Sequence, residues 1–350
     1  MAERPAGPRS APPGTTPPGA APPPDAGGAG ARPGGAAAPT VLRLGTRTSR
    51  LATWQARHVA AALEAAWAGL VVELVPFVTE GDKVLDKPLP EIGGKGLFTV
   101  ELEAALGAGR IDLAVHSLKD LPTDDPPGLT VGATTEREDP RDAWICPGGH
   151  GLDDLPLGAT VGTSSLRRGS QLLRRRPDLV VRSIRGNVET RIRKVHDEAY
   201  DAGVLALAGL SRLGIEDRAA SVLPFDVMLP APGQAALGVQ VRAGDDAVRR
   251  LVGALDHAET RAAVTAERQF LASLGGGCSA PIAALGTVDG DRLQLRGRVV
   301  SLDGARTVEV EADAAFDPDR PARAGREAGE AAARLALADG AAALLEAAQA

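Results

Sequence analysis

Cysteine is nearly absent from this chain of 350 residues: Cys146 and Cys278 are the only two. Two thiols cannot staple a disulfide scaffold, and their spacing matches no metal-binding pattern, so the composition points to a reducing interior. Aromatic residues are scarce as well, at 3%, which removes the stacking platforms on which single-stranded nucleic acid is held. Lysine occupies five positions against 34 for arginine. Generic positive charge written as arginine carries little information, and the lysines carry more for being rare. No uncharged apolar run approaches about 18 residues, which excludes a membrane-spanning helix. The net charge of −6 speaks against a general nucleic-acid binder.

What is abundant is unevenly placed. Residues 1–40 hold 11 of the 27 prolines and much of the alanine and glycine. They lack the apolar run of a signal peptide and are not Arg- and Ser-rich and acid-poor like a transit peptide. We expect a disordered tail there, because such a composition buries too little surface to offset ordering entropy, and a cytoplasmic protein. Arginine gathers between residues 160 and 200, where nine of them and Lys194 face only Asp178, Glu189, Asp197 and Glu198.

The remaining length suggests two or three domains at about 150 residues each. Val41-Leu42-Arg43-Leu44-Gly45 reads as a strand, after which Thr48 or Ser49 caps a helix with Leu51, Trp54, Val59, Leu63 and Trp67 at helical spacing and Gly69 as its stop. Residues 70–78 read as a strand, 97–106 as a helix and 112–116 as a strand. That order predicts parallel strands with helical crossovers and ligands beyond the strands' carboxyl ends. A second unit begins near Arg141, with strands over 160–162, 179–184 and 204–208 and helices over 166–176 and from Val188. Residues 235–255 read as a return to the first unit. We therefore expect one α/β domain from 41–138 with 234–255, a second from 139–233, and a cleft with a hinge between them. From Asp256 a long helix to Leu274, hairpin turns at Asp289-Gly290 and Asp303-Gly304, and a final helix over 321–348 suggest a smaller α+β domain over 256–350.

Five motifs could carry chemistry. Thr163-Ser164-Ser165-Leu166-Arg167-Arg168 offers backbone N–H groups, hydroxyls and two planar guanidiniums at a helix start, an anion site. Arg185 and Arg191 flank a second helix start with Asn187 between them, whereas Arg174, Arg175 and Arg176 read as a solvated face. Several anion sites along one edge imply a ligand with several anionic groups. In His116-Ser117-Leu118-Lys119-Asp120 the aspartate reads either as a general acid/base or as half of a surface pair with Lys119, and His116 as core packing. The Gly93-Gly94-Lys95-Gly96 loop lacks the spacing of a nucleotide P-loop and reads as a lid with one positive charge. Lastly, Gly275-Gly276-Gly277 strips side chains from in front of Cys278, which is either a packing thiol or one open to bulky material. Cys146, in Trp144-Ile145-Cys146-Pro147, reads as packing.

Taken together these residues resemble the porphobilinogen deaminase (hydroxymethylbilane synthase) family. The resemblance is carried by Glu267-Arg268, Phe270, Leu274, Gly276-Gly277-Cys278, Pro281 and Ile282, by Arg47 with Ser49, and by the lysine-bearing glycine loop. It is carried also by residues 115–120, Arg137-Glu138-Asp139-Pro140-Arg141-Asp142, residues 162–168 and Arg185-Gly186-Asn187-Val188. It implies an α/β fold of two periplasmic-binding-protein-like domains plus the C-terminal α+β domain. It also implies a dipyrromethane cofactor joined by a thioether to Cys278, with no metal. On that cofactor four porphobilinogens are added head to tail with loss of ammonia, and hydrolysis releases hydroxymethylbilane. Asp120 would protonate the leaving amine and stabilise positively charged pyrrole. Lys119, Asp120, Ser165, Arg167, Arg168 and Arg185 would hold the cofactor, and Arg47, Ser49, Arg185, Arg191 and Lys95 the substrate. A monomer that hands its product to the next enzyme is expected, with neither nucleic acid nor membrane as partner.

Three positions depart from the family pattern: Ala235 follows Gln234 where glycine is usual, Gln240 stands where glutamate is common, and Glu91 replaces an often basic residue. The alternatives are a solute-binding protein of the same two-domain architecture, which gives Asp120 and Cys278 no role, and a nucleic-acid module using the arginine-rich segment.

Overall fold

The computed structural model describes residues 41–79, 99–197, 200–277 and 280–349. Cys278, Lys95 and Glu91 lie outside the described residues, as does the expected tail.

The first sheet grows from strand β1 (Val41–Arg47), helix α1 (Arg50–Ala66) and strand β2 (Val71–Phe77). Ser49 caps α1 by accepting the Ala52 N–H at 3.2 Å. The helix buries Ala56, Val59, Ala60 and Leu63, one face at helical spacing, against Leu42 and Leu44 of β1. Gly69, with φ of +81°, ends the turn that follows. Helix α2 (Val100–Gly107) and strand β3 (Leu113–Ser117) follow, and β1 lies parallel between β2 and β3 as the βαβ order predicts. Strand β4 (Leu129–Thr134), absent from the sequence reading, completes the sheet through the returning β10 (Leu237–Arg242), which runs antiparallel to β3 and β4. The order is β2-β1-β3-β10-β4, so the sheet is mixed. Its other face packs Leu102 and Leu106 of α2 on Ile111 and Ala114.

The second sheet has the order β7-β6-β8-β5-β9, from β5 (Asp142–Ile145), β6 (Thr160–Gly162), β7 (Val180–Arg182), β8 (Ala202–Ala206) and β9 (Ser221–Leu223). Helices α3 (Leu166–Arg175) and α4 (Val188–Asp197) connect the parallel strands β6, β7 and β8. Three expectations shift here. The strand read over 179–184 shortens to β7, because Ser183 and Ile184 turn away to bond with Ser164. The strand read to residue 208 ends at Ala206, where helix α5 (Leu207–Ser211) begins. Strands β5 and β9 were not foreseen, as neither adjoins an α-helix in the chain.

Residues 134–142 lead from the first sheet to the second, and residues 223–237 lead back. Helix α6 (Asp246–Gly253) follows β10. The third sheet is an antiparallel meander of β11 (Ile282–Asp289), β12 (Arg292–Val300) and β13 (Thr307–Ala315), turning at the two expected Asp-Gly pairs. Helices α7 (Ala258–Ser273) and α8 (Pro321–Ala338) cover it, with Phe270, Leu293, Leu295 and Ala332 in the shared core. Gly325 and Gly329 let the two helices close up: a Cβ on either would stand 2.6 Å from a carbonyl oxygen of α7. The expected last helix is two, because Gly340 at φ +91° separates α8 from α9 (Ala341–Gln349). Among the described residues no helix is long and apolar enough to cross a membrane.

Candidate active site

Strand ends supply the functional side chains. Past β3 the chain makes one 3-10 turn, Leu118–Asp120. Leu118 is buried, Lys119 half-buried and Asp120 exposed. Arg268 of α7 secures this turn from beneath: it donates to the carbonyls of Leu118, Leu121 and Pro122 at 3.3, 3.0 and 2.6 Å. The Asp120 carboxylate itself takes no hydrogen bond from a described residue.

Past β6, Ser165 caps α3 by accepting the Arg168 N–H at 3.4 Å, and Thr163 Oγ1 accepts the Ser165 N–H at 3.2 Å. The Thr163 N–H is spent on the Arg182 carbonyl. Three amides of the expected backbone anion cradle are thus satisfied internally, and what remains for a ligand is chiefly side chain. Ser164 joins the two strand ends by donating to the Ile184 carbonyl at 2.8 Å. Asn187 accepts the Thr190 N–H at the start of α4, while Arg191 turns back to donate its Nε–H to the Gly186 carbonyl at 2.8 Å.

The two sheets meet electrostatically at these ends. Arg191 is depressed to about 10 by burial, then by the charges of Arg168 and Arg185, with Asp120 opposing. Lys119 is brought down to about 8 by burial and Arg168, while Asp120 and Asp142 hold it up. Six expected site residues (Lys119, Asp120, Arg167, Arg168, Arg185 and Arg191) therefore share one field. The charge of Arg47, at the end of β1, acts on His116. The hydroxyl oxygens of Ser49 and Ser165 serve as helix caps. His116 is buried, as expected, and burial pushes its imidazole down to about 4. Its Nε2 and the Oε1 of the facing Gln240 stop short of a proper hydrogen bond.

Asp142 and Gln234 were not singled out as site residues, yet both join this cluster. Asp142 is fully buried at the head of β5 and pairs with both Arg167 and Arg168. Burial pushes its carboxyl up, but the two arginines, with Lys119, hold it well below the usual carboxylate range. A charge opening an apolar strand was the available signal, since a buried carboxylate requires a partner. Arg212 was missed too. It reaches from the end of α5 to Glu138 at 2.8 Å and the Ala235 carbonyl at 2.7 Å, and lies over Trp54 of α1 at 5.8 Å. The triplet read as a solvated face is only partly so. Arg176 binds Asp178 and the carbonyls of Leu152, Asp153, Leu155 and Pro156, so it shapes a loop. No group of three or more His, Cys, Asp or Glu among the described residues could hold a metal ion.

Two arginines provide the test of fit for a polycarboxylate group. Both are nearly buried, and the Nε–H of each lacks a partner among the described residues. Those two atoms are sealed from solvent, so the fit rests on charge: Arg167 and Arg168, with Lys119, Arg185 and Arg191, outnumber Asp120 and Asp142, and carboxylates balance that excess, so the residues fit such a group.

Fold and site together define a class: an α/β protein of two sheets whose strand ends gather several cations around one exposed acid. A family model described as "Porphobilinogen deaminase, dipyromethane cofactor binding domain" matches residues 42–250, and one described as "Porphobilinogen deaminase, C-terminal domain" matches residues 261–334. The porphobilinogen deaminase of Geobacter metallireducens is 53% identical over 272 residues, which cover 78% of this chain and 85% of that one. That of Moorella thermoacetica is 50% identical over 306 residues, 87% and 96% of the two chains. Among solved structures, the methionine binding protein MetQ is similar over 62% of this chain and 90% of its own, at 17% identity and a TM-score of 0.40. The chain belongs to the porphobilinogen deaminase family.

Proposed function

We propose that this chain condenses four porphobilinogens head to tail, with loss of ammonia, onto a dipyrromethane primer held by Cys278, and releases hydroxymethylbilane by hydrolysis. Family membership favours this transferase over the solute-binding alternative. The observation that carries the reading for these residues is the pair of buried, part-satisfied guanidiniums of Arg167 and Arg168 beside Lys119 and the exposed Asp120. Every pyrrole of the substrate carries an acetate and a propionate, and a cluster with excess positive charge is suited to them.

In this reading Lys119, Ser165, Arg167, Arg168 and Arg185 hold the cofactor's carboxylates, and Arg47, Ser49, Arg185, Arg191 and Lys95 those of the incoming substrate. When bound, the dipyrromethane supplies the pyrrole end onto which the chain is extended. Asp120 gives a proton to the departing amine and faces the positive charge that develops as ammonia leaves. Its exposed carboxyl group, with no hydrogen-bond donor among the described residues, is available for both tasks. The enzyme works in the cytoplasm as a monomer and passes its product to the next enzyme of tetrapyrrole biosynthesis.

Intact-mass measurement of the purified protein tests the reading. The expected result is added mass of two linked pyrroles on the peptide containing Cys278, lost in Cys278→Ser and kept in Cys146→Ser. An unmodified chain from cells that make porphobilinogen overturns it.

A further inference from the structure

The cationic cluster is organised by a residue to which the sequence motifs gave no role. Pairing of β5 with both β8 and β9 sets Asp142 opposite Ala206 and Leu223, so its carboxylate projects from a fixed backbone. Three donors from two segments, helix α3 and the returning crossing, converge on it. Arg167 Nη1 reaches Oδ2 at 2.9 Å, while Arg168 Nη2 and Gln234 Nε2 reach Oδ1 at 2.7 and 2.9 Å. The Gln234 amide continues the chain: its Oε1 accepts from Lys119 Nζ at 3.1 Å, and its Nε2 also donates to the Pro140 carbonyl at 2.7 Å. Carbonyls complete the anchoring, Leu229 for Arg167 at 2.6 Å and Val204 for Arg168 at 3.1 Å. Arg167 is thereby gripped through Nη1 and Arg168 through both terminal nitrogens, and neither spends its Nε–H on a described residue. A planar group held at one edge presents the other in a set direction.

We propose that Asp142 is a positioning residue whose carboxylate sets the directions of Arg167 and Arg168 and, through the Gln234 amide, of Lys119. It acts through those side chains and takes no part in bond making. The inference rests on the reading of the cluster as the carboxylate-binding site. It adds that one buried point on β5 aligns cations from both sheets. The same carboxylate supports the charge on Lys119, which burial, Arg168 and Arg167 oppose and Asp120 and Asp142 favour. Asp142 is one of the charges that favour the ammonium, so its loss favours the neutral amine.

The test uses purified holoprotein and two readouts. Intact mass reports the two-pyrrole adduct, and its absence from the wild-type chain sinks the functional reading alone. Acylation of Lys119 by acetic anhydride, followed across pH by peptide mass, reports the charge of the lysine whether or not the adduct is present. In Asp142→Asn the midpoint of that profile moves down by about one pH unit, and KM for porphobilinogen rises about tenfold. Asp142→Glu restores part of both. A loss of activity with an unmoved Lys119 profile would mean a merely structural role and overturns the inference. Should Asp142→Asn fail to fold, Gln234→Leu decides. It leaves both arginine pairs and cuts the link to Lys119, so the midpoint still falls, and an unchanged midpoint there overturns the inference equally.

Discussion

Arg137 and Glu267 form a two-pronged ion pair, 2.6 Å from Nη1 to Oε1 and 3.1 Å from Nη2 to Oε2, at the junction of the two crossings and the third sheet. Glu267 is wholly buried, and its oxygens also accept the N–H of Gly233 on the returning crossing and of Gly286 on β11, both at 2.7 Å. The pair therefore fixes where α7 stands relative to the crossings. Its neighbour Arg268 secures the turn that carries Lys119 and Asp120.

Glu267→Gln leaves the Arg137 guanidinium without a counter-charge in a buried setting. The expected loss is about 3–5 kcal/mol, read from urea denaturation midpoints at constant slope. A change under about 1 kcal/mol would show that the pair is not holding the junction.

Ala235 has φ of +72°, the one positive φ at a non-glycine residue among those described. A side chain there costs about 1–2 kcal/mol, part of which glycine gives back in unfolded-state entropy. Ala235→Gly is expected to stabilise the protein by up to about 1 kcal/mol. The Arg212 side chain and the Glu138 N–H keep their bonds to its carbonyl, because residue 235 contributes only backbone to them. A lower melting temperature for the variant refutes the argument.

His116 binds its proton near pH 6.5 when unfolded, but burial, with the Arg47 charge, delays this to about 4 in the folded chain, against a pull upward from Gln240. The unfolded state thus holds more protons between these values, so stability falls as pH drops from about 6.5 to 4 and this contribution levels off below. The full effect is roughly 3 kcal/mol. His116→Leu should flatten that limb of the stability profile, and a variant as acid-sensitive as the parent contradicts the assignment.

Asp120→Asn keeps the size of the side chain and removes the proton donor. Turnover should fall about 10²–10⁴-fold, while the two-pyrrole mass of the purified protein remains. Asp120 accepts no hydrogen bond from a described residue, so unfolding midpoints should stay within about 0.5 kcal/mol of the parent. Retained turnover removes Asp120 from the chemistry.

Long periodic segments were legible because their signals are local. The Ser49 cap, the Val59 and Leu63 face and the Gly69 stop outline α1 without reference to anything distant. Asp289-Gly290 and Asp303-Gly304 mark hairpins for the same reason. Strands β4, β5 and β9 escaped notice because none adjoins an α-helix in the chain, the mark by which strands as short as β3 and β6 are read, and only neighbouring strands make them extended. The break at Gly340 went unread because alanine-rich sequence on both sides favours helix equally.

The chemistry divides along the same line. By itself the sequence determined which groups are available: a lone loop cysteine, an acid beside a rare lysine, and arginines at successive helix starts. These are matters of residue type and spacing, and they sufficed to identify the family. Tertiary structure alone decided which charges meet. Lys119 lies 23 positions from Asp142 and 115 from Gln234, yet strand order and two crossings bring all three into one hydrogen-bonded line with Arg167 and Arg168. Charge pairing depends on distance through space and on burial, and neither is set until the sheets have formed.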